Sequence, residues 1–107
     1  MEGDMDTMET YLVNLQNKVF KLLPMREAHD GGEDNHLAEY LDNLCANYAG
    51  AFACYPDLAN VREVVEVRSN VVFLKDNIDV DFKKWRSIVL RSTRLIHTVA
   101  TRYSEEV

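Results

Sequence analysis

Residues 57–77, DLANVREVVEVRSNVVFLKDN, admit two readings, and the choice between them decides the fold class. As a helix, Leu58, Val61, Val64, Val65, Val67, Val71, Val72 and Leu74 cover an arc of about 200° at 100° per residue, wide enough for a central, largely enclosed element. As strands, residues 64–67 and 71–74 would form a hairpin around Arg68, Ser69 and Asn70, since valine favours strands. The turn of such a hairpin lacks glycine, and Asn60 with Glu63 has the spacing of a capping box. We read the stretch as a helix.

Downstream, Asp79 is placed to cap a last helix. In it Ile78, Phe82, Trp85, Val89, Ser92, Ile96, Val99 and Tyr103 alternate spacings of four and three, a bundle seam that Ile88 and Leu95 widen to about 140°. Upstream, Asp34 or Asn35 can head a helix with Leu37, Tyr40, Leu41, Leu44, Tyr48, Phe52 and Tyr55 on one face. Its other side is small: Ala46, Gly50 and Cys54, with Ala49 and Ala53 beside them, so a second neighbour at close approach is expected there. Further back, Asp6 and Glu9 have capping-box spacing, and Met8, Tyr11, Leu12, Leu15, Val19 and Leu22 recur within about 120°. That helix should stop near Leu23, because Pro24 disfavours an α conformation in the residue before it. The polar stretch MREAHDGGEDN that follows reads as a long loop over residues 24–34.

The expected fold is therefore all-α, an antiparallel bundle of about four helices. They should span 6–23, 35–55, 57–76 and 79–104, with the third near the centre. The chain has 107 residues and 12.3 kDa, 47% hydrophobic and 28% charged, which suits one domain over 1–107 with residues 1–5 disordered and excludes collagen-like or low-complexity chains. No apolar run approaches the roughly 18 residues of a membrane span, and the start MEGDMDTMET is acidic where a secretory signal would be basic. A cytoplasmic protein is expected. Cys45 and Cys54 would lie about 13.5 Å apart along one helix, beyond the roughly 7 Å between Cα atoms that a disulfide tolerates, so both read as reduced, mostly buried thiols.

The net charge of −6 is unevenly spread. Residues 1–45 carry −7 and the remainder +1, and between Phe82 and Ser104 there are six cations and no acid. Lys84, Arg91 and Arg102, with Arg94 nearby, form a basic stripe on the last helix. This stripe is expected to meet the acidic first half, in one chain or across a dimer; binding nucleic-acid phosphates through it is an alternative. Arg68 and Lys75 fall inside the wide apolar arc, where a buried charge needs a carboxylate, a route to solvent or an interface. The polar types His29, Asp30, Glu33, Asp34 and His36 lack the spacing of an EF-hand or of a zinc-binding histidine pair, and no metal or cofactor is expected.

Arg91 and His97 resemble, in their spacing, the Arg-(four to six residues)-His motif of the HEPN ribonucleases, which are also small helical bundles. The resemblance implies RNA cleavage by these two residues. The polar residue usual after the arginine is here Ser92, on the apolar seam. Six residues place the two side chains about 120° apart on a straight helix, so they would converge only through a dimer or a distorted turn. No phosphate loop, nucleophile elbow or paired-carboxylate motif is present. The expectation is a small regulatory or accessory protein, bacterial or phage-borne, that binds a protein partner without catalysis. Surplus apolar surface on the third and fourth helices points to a homodimer, with Arg68, Lys75, Lys84, Arg91, Arg94 and Arg102 as interface candidates.

Overall fold

The computed structural model describes residues 4–32 and 36–105. It contains α1 (Asp4–Phe20), α2 (Leu22–Asp30), α3 (Leu37–Cys54), a 3-10 turn (Pro56–Asn60), α4 (Arg62–Asp76) and α5 (Phe82–Glu105). Among the described residues there is no strand, and the valine-rich stretch is helical. Val64, Val67, Val71 and Leu74 are buried at spacings of three and four, so helical periodicity outweighs the strand preference of the individual valines.

α5 packs antiparallel on α1 and α4, and α4 packs antiparallel on α3. The Trp85 indole N–H, at the start of α5, donates to the Leu22 carbonyl just past α1 at 3.1 Å. Asn70 donates to Ser92 at 3.0 Å between α4 and α5, Lys75 meets Asp42 between α4 and α3, and the Tyr40 hydroxyl donates to the Lys18 carbonyl at 2.6 Å between α3 and α1. The core runs the length of a body measuring 48 × 22 × 22 Å, from Leu12 and Leu15 through Tyr48 and Val67 to Trp85 and Ile96.

Several expectations are corrected. The third expected helix is not central. α5 is the hub, packing on α1, α2 and α4, with Trp85, Val89, Ile96 and Val99 buried, whereas Val65 and Val72 of α4 remain 39% and 37% exposed. Most of the expected loop is α2. Lys21 keeps helical angles of −61° and −18°, donates to Asn17 and accepts from Met25, so α1 and α2 are nearly continuous. Pro24 interrupts the ladder by withholding an N–H from the Phe20 carbonyl, and proline is tolerated in a first turn. Burial of Leu22 and Arg26 outweighs the local penalty on Leu23. The helix ends where Gly32 takes a φ of +94°, open to glycine.

The small side of α3 has no close neighbour among the described residues. Ala46, Ala49, Gly50, Ala53 and Cys54 are exposed, and a Cβ on Gly50 would touch nothing within 4 Å. Cys54 is thus a surface thiol, while Cys45 is half-buried. Asp4 and Met5 belong to α1; residues 1–3 lie outside the described residues. The cap at Asp79 moves to Asp81, whose carboxylate accepts the Lys84 N–H at 3.3 Å. Asn60 closes the 3-10 turn and Val61, without a side-chain cap, precedes α4. The side chains of Asp6, Met8, Glu9, Asp34, Asn35 and Tyr103 lie outside the described residues.

Candidate functional site

The cations of α5 divide into two sets by the side of the helix they occupy. Lys84, Arg91 and Arg102 face α4. There Arg91 donates to Glu66, Arg102 donates to Glu63 at 2.8 Å, and the Lys84 ammonium lies 5.3 Å from the centre of the Phe73 ring. The Arg102 hydrogen bond holds the Glu63 carboxyl below the usual carboxylate range, and Glu66 raises the Arg91 guanidinium above its ordinary value. The basic stripe therefore meets acids within the chain, but those acids belong to α4 and not to the acidic first half.

The two odd cations of α4 are also explained by their neighbours. Lys75 and Arg68 lie at the α3 edge and not in the middle of a buried arc: the Lys75 ammonium sits 2.9 Å from Asp42, and the Arg68 guanidinium covers the Phe52 ring at 5.7 Å. Asp42, the strongest influence on Lys75, raises its pKa.

What remains unpaired lies on the opposite side of α5, along α1. Lys83, Arg86 and Arg94 have no ion pair among the described residues. Arg94 and His97 line a shallow groove with Leu90 and Thr93 of α5 and Gln16 of α1, and Arg86 lies one turn before Leu90. One turn to either side of Gln16, Val13 and Phe20 are 42% and 51% exposed, so α1, which supplies Gln16 to the groove, also carries exposed apolar side chains. Of the six interface candidates only Arg94 belongs to this surface. Phe20 and Arg86 were missed in the sequence because each sits one step outside the apolar stripe used to define its helix.

Arg91 and His97 are not brought together within the chain. α5 continues through both, Arg91 is held by Glu66 on the α4 side, and His97 is exposed on the α1 side. A second overlooked residue is Arg26, which is 5% exposed and places its guanidinium 4.9 Å from the Trp85 ring centre, with Nε 2.8 Å from Asp30. Its Nη1 has no partner among the described residues. Expecting a loop at residues 24–34 concealed it. Among the described residues no three of His, Cys, Asp and Glu come together as metal ligands, and no helix is long and apolar enough to cross a membrane. No protein-family model, curated protein or solved structure matches the chain.

Proposed function

We propose that this protein is a small helical accessory or regulatory protein that acts by association, taking an acidic, apolar-bearing segment of a protein partner on the α1/α5 face. The observation that carries this reading is unspent charge on one helix next to exposed apolar surface on the helix packed against it: Lys83, Arg86 and Arg94 of α5 have no ion pair among the described residues, and Val13 and Phe20 are exposed on α1. Interfaces combine an apolar centre with a charged rim that sets specificity and association rate, and arginine and phenylalanine are enriched there. On a chain of net charge −6 this cationic face is local, which favours a directed contact over general polyanion binding.

Exposed Phe20 beside arginines also supports a second reading, single-stranded nucleic acid, because a base can stack on the ring while cations hold phosphate. Site-directed photo-crosslinking at residue 20 in the native host, with and without nuclease, separates the two. Nuclease-resistant capture of one protein, abolished in the double variant R86E/R94E, supports the association reading. Capture of nucleic acid, or protein capture that R86E/R94E leaves unchanged, refutes it. Cleavage of RNA by the purified protein, lost in His97→Ala, would replace both readings with the ribonuclease.

A further inference from the structure

The outer edge of α4 carries a second, independent pattern. Arg62, Val65, Ser69, Val72 and Asp76 are all exposed, and their spacings of three, four, three and four place them within about 80° of one another around the helix. This is a coiled-coil seam on an exposed edge of the helix. The sequence of the seam is also self-complementary. When it is laid antiparallel on a copy of itself about a two-fold axis at Ser69, Val65 meets Val72 of the copy and Arg62 meets Asp76 of the copy, with the two small Ser69 side chains at the crossing point.

The charges support that arrangement over an isolated helix. Arg62 begins α4 and Asp76 ends it, so a cation stands at the positive end of the helix dipole and an anion at the negative end. Neither has an ion pair among the described residues. An antiparallel copy brings each charge to an oppositely charged side chain and to the helix end of opposite sign. The charges flanking the seam are held by their own chain, Glu66 by Arg91, Lys75 by Asp42 and Arg68 over Phe52, and are drawn away from the two-fold axis.

We propose that the protein pairs with a second copy of itself through the exposed edges of α4, antiparallel about Ser69. One helix edge of four turns is smaller than the roughly 800 Å² per partner of a standard interface, so the dimer dissociates in the micromolar range. It rests on α4 alone and is independent of the α1/α5 face.

Sedimentation equilibrium tests the pairing across concentrations from about 1 to 500 µM, with circular dichroism confirming that each variant is folded. The wild type should move from 12.3 kDa toward twice that mass. Val72→Glu should weaken association at least tenfold, since it sets a charge against Val65 of the copy. Arg62→Glu and Asp76→Arg should each weaken it severalfold, and the double variant R62E/D76R should restore it, because the exchanged charges meet again across the two-fold. A chain that stays at 12.3 kDa throughout overturns the proposal. So does a dimer indifferent to Val72→Glu, or one in which the double charge exchange fails to rescue the single changes.

Discussion

Removing Asp30 should destabilise the protein more than removing the charge of Arg26 itself. Arg26 is 5% exposed, its guanidinium donates through Nε to Asp30 at 2.8 Å and lies against Trp85, and its Nη1 has no partner among the described residues. Asp30→Ala leaves a buried cation with a second donor unsatisfied. A hydrogen bond between charged groups contributes about 1.5–3 kcal/mol when buried, but the Asp30 side chain is 44% exposed and solvent screening lowers the loss to about 1–2 kcal/mol. Arg26→Met keeps an unbranched apolar stem over the Trp85 ring and eliminates the orphaned donor. It sacrifices a cation–π contact of about 0.5–1 kcal/mol and the ion pair, and apolar replacement of a buried ion is often neutral, so the net change should lie within about 1 kcal/mol of zero. Urea unfolding followed by fluorescence of Trp85, the only tryptophan, measures both variants. At about 4 °C per kcal/mol, Asp30→Ala should lower the melting temperature by about 4–8 °C. A harmless Asp30→Ala combined with an Arg26→Met loss above about 2 kcal/mol would refute the reasoning and make the Arg26 charge itself a stabilising element.

Three further outcomes follow from the polar groups of the bundle. The Tyr48 hydroxyl is buried with no partner among the described residues whereas that of Tyr40 donates to Lys18, so thermal melts should show Tyr48→Phe neutral or stabilising by up to about 1 kcal/mol and Tyr40→Phe destabilising by about 1 kcal/mol. Burial, with a smaller contribution from Tyr55, pushes the Tyr11 phenol up to about 12, so its neutral form stabilises the fold below pH 10 and that contribution is lost as pH rises from 10 through 12; melts across this window should fall less steeply in Tyr11→Phe. Glu63 is depressed by the Arg102 hydrogen bond, so its contribution is present above its ordinary value of 4.5 and disappears as pH falls below it through the lower folded value; Glu63→Gln should flatten the acid limb of a pH–stability curve.

The fold class was legible because helical periodicity is redundant: the valine stretch, the alternating seam of α5 and the apolar faces of α1 and α3 each repeat over several turns. Errors arose where one residue was allowed to speak for its surroundings. Pro24 was read as a helix stop, although the burial of Leu22 beneath Trp85 carries the chain on as α2. Arg68 and Lys75 were placed inside an apolar arc by counting Val65 and Val72 as core, which the structure leaves exposed. Gly50 suggests a point of close approach because glycine in a helix interior costs about 1 kcal/mol relative to alanine, yet no described residue comes within 4 Å of a Cβ placed there. Sequence distance misdirects the partners of the basic stripe: charge totals point to the first half, whereas the acids that meet Arg91 and Arg102 sit on α4, the neighbouring antiparallel helix, and Arg94 lies on the α1 side.

The division of charge on α5 ties the two proposed surfaces together. Its α4-facing cations are occupied by Glu63, Glu66 and Phe73, which brace the helix that carries the self-complementary seam. The remaining cations lie on the α1 side, so pairing through the outer edge of α4 leaves both copies of the Arg86 and Arg94 face open. A dimer would then present two identical basic faces, and a partner with two acidic segments, or an oligomeric partner, would be held with an effective concentration set by the spacing of those faces. A monomeric Val72→Glu variant should keep the affinity of a single face and lose the avidity of two. Measured side by side, the variant therefore reports whether self-association serves recognition: a bivalent acidic ligand should bind it more weakly than the wild type, and a monovalent ligand equally well. Equal binding of the bivalent ligand by both proteins would separate the two surfaces functionally.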